Sequence, residues 1–176
     1  MSIGVKKTTA QAVSNKAESV NLRAHEKWEA GELRLAFRLM RSAAELGAYA
    51  SKHNLGYFYD LGIGVKRNRD KAMYWYRKAY REGHASGATN IGTIYRDEMK
   101  TLLALRWFRK AVAAGDIDAD LEVAKILLNR LNDPKGAARH LKRVLKAKSG
   151  VHVTISSQEQ AATLLKTIQR NSPAKR

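Results

Sequence analysis

The sequence predicts an all-α protein: an α-solenoid of about four helix-turn-helix repeats followed by a capping helix. Three observations predict it. Gly47, Gly83 and Gly115 stand 36 and 32 residues apart, each at the end of the same pattern of small and large residues, and a period of roughly 20–50 residues is the mark of a stacked repeat. Within each segment the apolar positions recur three and four residues apart, the rhythm of an amphipathic helix, rather than alternating as in a strand. With 44% hydrophobic residues and only two prolines in 176, the chain has enough apolar material for one core and few helix breakers.

The elements follow in order. Residues 1–15 are expected to be flexible. A first repeat over about 16–48 begins with a helix carrying Ala24 and Trp28, turns at Ala30-Gly31, and returns through Ala36, Leu39-Met40 and Ala43 to Gly47. The same offsets from the closing glycine give Ala72, Trp75-Tyr76 and Ala79 before Gly83, and Ala104, Trp107-Phe108 and Ala111 before Gly115. This is the second helix of each hairpin. Its large pairs should form the buried face, and its closing glycine suits a left-handed C-terminal cap.

Counting forward from the glycines gives the first helix of the next hairpin: Ser51, Leu55 and Gly56; Gly87, Ile91 and Gly92; Ala119, Val123 and Ala124. A glycine inside a helix costs about 1 kcal/mol against alanine, so Gly56 and Gly92 call for close approach of the partner helix. The second repeat (49–84) contains Gly62-Ile63-Gly64-Val65, a turn with two glycines able to take positive φ, and the third (85–116) lacks four residues there. The fourth (117–150) turns at Asn132-Asp133-Pro134, with Asp133 as N-cap, Pro134 as the first helical residue and a helix running to about Lys148. A β-prone stretch, Val151 to Ile155, leads to a capping helix over 151–170, its helical part about 157–170, opened by Ser156 and Glu159 as a capping box. Residues 171–176 are expected to be disordered.

The second repeat, with Asn54-Leu55-Gly56, Tyr59, Gly62-Ile63-Gly64-Val65, Asp70-Lys71-Ala72, Trp75-Tyr76-Arg77-Lys78-Ala79 and Gly83, closely resembles the Sel-one-like repeat, a relative of the tetratricopeptide repeat. The third matches through Asn90-Ile91-Gly92, Tyr95, Ala104, Trp107-Phe108-Arg109-Lys110-Ala111 and Gly115 without the glycine loop; the first and fourth are degenerate. The resemblance implies a right-handed superhelix acting as an adaptor in complexes, often in bacterial signalling and cell-envelope processes, with no catalytic residue. Gly56, Ala72, Trp75, Gly83, Gly92, Ala104, Trp107 and Gly115 are the residues that build this scaffold.

The first helices usually line the concave side of such a stack, which makes Asn54, Tyr57, Phe58, Asn90, Thr93 and Arg96 candidate partner contacts. Tyr59 and Tyr95, at the recurring position, belong to the expected core, and Asn54 has an alternative task in hydrogen bonding between repeats. A second candidate is basic. The chain holds 33 Lys and Arg against 16 Asp and Glu, a net charge of +17, which points to an acidic partner. Residues 134–176 hold ten Lys and Arg with Glu159 the single acid, and residues 66–81 hold seven against Asp70. Arg139, Lys142, Arg143 and Lys146 recur on one face of a helix whose other face carries Ala138, Leu141, Val144 and Leu145. Such a stripe suits an acidic protein, or phosphates in a sequence-blind, salt-sensitive way. Aromatics placed at buried repeat positions speak against a stacking platform for nucleic acid.

Other chemistries find little support. With no cysteine, disulfides, thiolate metal sites and cysteine nucleophiles are excluded. The five histidines never pair at metal-ligand spacing, no serine sits in a nucleophile elbow, and no cofactor motif is present. Asp116, Asp118, Asp120 and Glu122 alternate like a calcium loop but lack its glycine and distal acid, with Leu127 at the twelfth position, so a helix start is expected. The first twenty residues lack the apolar run of a secretory signal and no stretch has the length of a membrane span; a cytoplasmic protein is expected. The oligomeric state stays open, since repeat stacks expose apolar ends.

Overall fold

The computed structural model describes residues 2–48, 50–148 and 153–171. Among them are nine α-helices: α1 (Ser2–Glu29), α2 (Leu33–Leu46), α3 (Ser51–Leu61), α4 (Arg69–Arg81), α5 (Ala85–Asp97), α6 (Thr101–Ala113), α7 (Asp118–Asn129), α8 (Pro134–Lys146) and α9 (Ile155–Asn171). The stretch 1–15, expected to be flexible, is described as helix from Ser2 onward. Of the expected β-prone connection, residues 151 and 152 fall outside the described residues, as do residues 172–176 of the expected tail, while Ile155 already belongs to α9. The chain divides into two compact units, residues 1–87 and 88–176.

The helix ends follow from local chemistry. Gly47, Gly83 and Gly115 take φ of +94°, +97° and +96°, and the amides that follow bond back to Ala43, Ala79 and Ala111, which satisfies carbonyls the helix would otherwise strand. Met99 does the same work after α5 at φ +59°, with Lys100 N–H bonded to the Tyr95 carbonyl at 2.9 Å. Asp133 caps α8 by accepting from the Gly136 amide at 2.8 Å, with Pro134 at the first helical position. At α9 the cap is Thr154, whose Oγ1 accepts from the Ser157 amide at 3.1 Å; Ser156, the expected cap, already lies in the helix, which starts two residues earlier than expected.

In the first unit α1 pairs with α2, α2 with α3, and α3 with α4. The core is built from Ala36, Met40 and Ala43, Leu55 and Phe58, and Ala72, Tyr76 and Ala79, all fully buried, each large side chain contributing roughly 1.5–3 kcal/mol by leaving water. A Cβ on Gly56 would stand 2.6 Å from the Tyr76 ring, and one on Gly64 would stand 2.0 Å from the Leu33 carbonyl oxygen. Close approach thus explains both glycines. In the second unit α6 packs on α7, α7 on α8, and α9 on both α8 and α7. Its core contains Ile91, Ile94, Phe108, Val123, Leu141 and Val144, and Gly92 faces the Phe108 ring as Gly56 faces Tyr76.

Several expected core positions turn out otherwise. Of each large pair only the second member, Met40, Tyr76 or Phe108, is buried; Leu39, Trp75 and Trp107 are half-exposed, because the second member stands four residues after one buried alanine and three before the next, in line with them, while the first is turned about 100° toward the edge of the stripe. Tyr59 is buried as expected, whereas Tyr95 is half-exposed and Ile94 fills the core beside it. On α8, Ala137, Leu141 and Val144 form the buried line, Ala138 is half-buried and Leu145 is exposed.

Candidate functional site

The first-helix residues of the first unit are held by one another. Asn54 Nδ2 donates to His25 Nε2 on α1 at 3.1 Å, and His53 Nδ1 lies 3.4 Å from Asn54 Oδ1. One turn earlier Ser51 Oγ donates to Asn21 Oδ1 at 2.8 Å. These bonds tie the first hairpin to the second. Burial pushes the His53 imidazole below its ordinary value; the Asn54 bond opposes this, and the nearby His84 adds to it. Tyr57 is exposed and its ring stands 6.0 Å from Trp28. Phe58, named with the partner contacts, is fully buried with its ring edge-on to Trp28 at 5.0 Å; i+1 from an exposed residue on a helix, it points into the core.

In the second unit Asn90 and Thr93 are half-buried and Arg96 is exposed. Arg96 Nη1 donates to Glu122 Oε2 at 2.5 Å and Nη2 lies 3.4 Å from Asp97, while Lys125 donates to Glu122 Oε1 at 2.9 Å. Burial raises the Glu122 carboxyl, but the hydrogen bonds and charges of Lys125 and Arg96 outweigh it and hold the group below its usual range. A cavity of about 250 Å³ opens here, lined by Met99, Ala104, Ile126, Asn129 and Arg130 as well as this ion-pair cluster.

The alternating acids divide the work of joining helices. Asp116 accepts from Thr89 Oγ1 at 2.5 Å and from the Ala119 amide at 3.2 Å at the start of α7. Asp118 accepts from the Thr154 amide and hydroxyl at 3.1 and 3.2 Å. Asp120 is fully buried; His140 Nδ1 donates to its Oδ1 at 2.6 Å, and Arg143 Nε stands 3.4 Å from its Oδ2. Among the described residues no group of three or more His, Asp or Glu could hold a metal ion.

On α8, Arg139, Lys142, Arg143 and Lys146 are all exposed. Arg143 is drawn to the buried Asp120, so the cations of the stripe without an ion pair among the described residues are Arg139, Lys142 and Lys146. The Asp120 anchor has no signature in the sequence, because residues 120 and 143 meet only through the packing of α7 on α8. It also hid the exposed aromatics. Lys78 Nζ stands 4.9 Å from the Tyr74 ring and 5.0 Å from Trp75, and Lys110 Nζ stands 4.1 Å from Trp107, so each half-exposed indole carries a cation over its face. Trp75, Lys78 and Arg81 line an open hollow with Lys52, whose ammonium meets Glu82 at 2.5 Å. No helix among the described residues is long and apolar enough to cross a membrane.

The family model described as Sel1 repeat matches residues 32–47, 50–84 and 91–116. A sel1-like repeat-containing protein, L21 of Acanthamoeba polyphaga mimivirus, is 31% identical over 65 residues, which are 37% of this chain and 12% of that protein. The chain thus spans about one-eighth of the length of this relative. Among solved structures, a Sel1 repeat protein from Oxalobacter formigenes superposes with a TM-score of 0.61 at 23% identity, covering 89% of this chain and 71% of that one. A protective antigen of uropathogenic Escherichia coli displaying an SLR fold gives 0.58 at 19% identity, covering 92% and 40%. With the hairpin order, the closing glycines and the Gly56 and Gly92 contacts in agreement, residues 32–47, 50–84 and 91–116 are Sel1 repeats, and the chain has the all-α fold of the solved Sel1 repeat structures.

Proposed function

We propose that this protein is a non-catalytic protein–protein interaction scaffold that engages an acidic partner, either as a bacterial regulatory adaptor or as an immunity protein that blocks a toxin by covering it. The observation that carries the reading is the outer face of α8, where Arg139, Lys142 and Lys146 are exposed and without an ion pair among the described residues while Arg143 and His140 are fastened to the buried Asp120. A rigid helix with unmatched cations at three-and-four spacing suits a carboxylate-bearing surface, and such pairs favour rapid, selective encounter more than raw affinity. Tyr57, Asn90, Thr93 and Arg96 supply a second set of proposed contacts on the first helices; Asn54 serves the joint between hairpins first. The reading is of a cytoplasmic protein needing no cofactor.

The test is affinity capture from native lysate, with and without nuclease, comparing the wild type with the charge reversal of Arg139, Lys142 and Lys146 to Glu; Arg143 is kept because it pairs with the buried Asp120. One protein captured by the wild type in the presence of nuclease and lost in the variant is the expected result. The alternative is an accessory protein that holds nucleic acid, and the half-exposed Trp75 and Trp107 under lysines favour it more than the sequence does. Recovery of nucleic acid alone, abolished by nuclease and weakened steeply by salt, replaces the first reading with the second.

A further inference from the structure

The cavity between α5, α6 and α7 is unusual in its charges and in its backbone. Glu122 has both carboxylate oxygens taken, one by Arg96 and one by Lys125, and Arg96 also faces Asp97. The charges around the hollow are therefore matched internally except at Arg130, an exposed guanidinium with no ion pair among the described residues; its Nη2 lies 3.7 Å from Met99 Sδ. Met99 itself occupies the left-handed cap position that glycine fills after α2, α4 and α6, and its side chain is 65% exposed. A glycine there would relieve the backbone and hide no apolar surface. Instead a strained residue holds a thioether at the mouth of a hollow floored by Ala104 and Ile126, the kind of local cost that persists at binding positions.

We propose that this cavity is a docking site for an acidic segment of a protein partner, one that presents an aliphatic side chain next to an Asp or Glu. The aliphatic group enters the hollow of about 250 Å³ against Ile126, Ala104 and the Met99 thioether, which is room for one such side chain. The neighbouring carboxylate meets Arg130, whose fork of N–H donors fits it. Asn129 lines both this hollow and an adjoining one that runs along α7 to α9 and carries Glu159. That acid sets the direction: the segment's carboxylate lies toward Arg130, and the residues that continue toward α9 are neutral. The site is independent of the α8 stripe and stands or falls separately from it.

The experiment titrates the full chain with two blocked dipeptides, N-acetyl-Glu-Leu-amide and N-acetyl-Gln-Leu-amide, following the Met99 methyl and Arg130 Nε–H signals by NMR. Saturable shifts of both signals, with the Glu peptide bound about fivefold or more tightly than the Gln peptide as a partly exposed guanidinium–carboxylate contact warrants, are the expected result. In Arg130→Gln that preference should vanish while weak binding of both peptides remains, and in Met99→Gly both peptides should weaken together. The α8 charge reversal should leave all of this unchanged. Shifts that fail to saturate, equal binding of the two peptides, or a Glu preference that survives in Arg130→Gln overturn the proposal. Saturation by N-acetyl-leucine free acid with none by N-acetyl-Glu-Leu-amide also overturns it, since the occupant would then be a chain terminus.

Discussion

Gly56 and Met99 show how much a single position can carry. Alanine forms helix better than glycine by about 1 kcal/mol, yet a Cβ at residue 56 would stand 2.6 Å from Tyr76 Cδ1, and Tyr76 is fully buried with nowhere to move. Gly56→Ala should therefore destabilise by about 1–3 kcal/mol through overpacking, as a lower urea midpoint at unchanged slope would show. Met99→Gly should go the other way, stabilising by about 1 kcal/mol because the left-handed backbone then costs no Cβ clash. His53 is a third case. Its folded form disfavours the proton because burial outweighs the Asn54 bond, so the unfolded chain binds more protons and stability rises with pH through this region. The contribution is complete above the ordinary value of 6.5 and is lost as pH falls below it. Denaturation of the wild type from about pH 7.5 to about pH 5 should show this loss, and His53→Gln should flatten it.

At the scale of the element, α8 depends on its first turn. Asp133 accepts from the Gly136 amide, and a Cβ on Gly136 would come within 2.1 Å of Asp133 Oδ2, so cap and glycine belong together. Asp133→Ala should cost about 1 kcal/mol, and amide hydrogen exchange should quicken first in the opening turn of α8. The helix that carries the cationic stripe would then be less rigid, which ties the cap to the proposed interface. The same helix shows why periodicity found the exposed face more easily than the partners beneath it. Residues spaced three and four apart must share a face whatever lies opposite, whereas the Asp120 carboxylate reaches His140 and Arg143 only because α7 packs on α8.

For the whole molecule the net charge of +17 is a standing repulsion that folding must overcome. Raising the salt from about 10 mM to about 0.15 M shortens the screening length from about 30 Å to about 8 Å, and the thermal midpoint should rise in step. Reversing Arg139, Lys142 and Lys146, which leaves Arg143 paired with the buried Asp120, lowers the same repulsion, so that variant should fold at least as well as the wild type at low salt. A loss of partner capture by it would therefore report on the contact and not on unfolding.

What the sequence by itself determined is the repeat: Gly47, Gly83 and Gly115, the alanines and the place of each large pair answer to local rules, since a cap, a helical stripe and a hairpin contact each depend on residues within one repeat. The left-handed caps, the Asp133–Pro134 start of α8 and the tight glycines at 56 and 92 were all legible for that reason. Only the tertiary structure decided that Phe58 is core, that Trp75 and Trp107 are half-exposed, that Arg96 and Arg143 are tied to acids, and that Arg130 is left unmatched beside Met99. Those outcomes hang on which neighbours arrive from residues twenty to thirty positions away, and burial and ion pairing are properties of the assembled surface, to which no stretch of helix contributes more than one side.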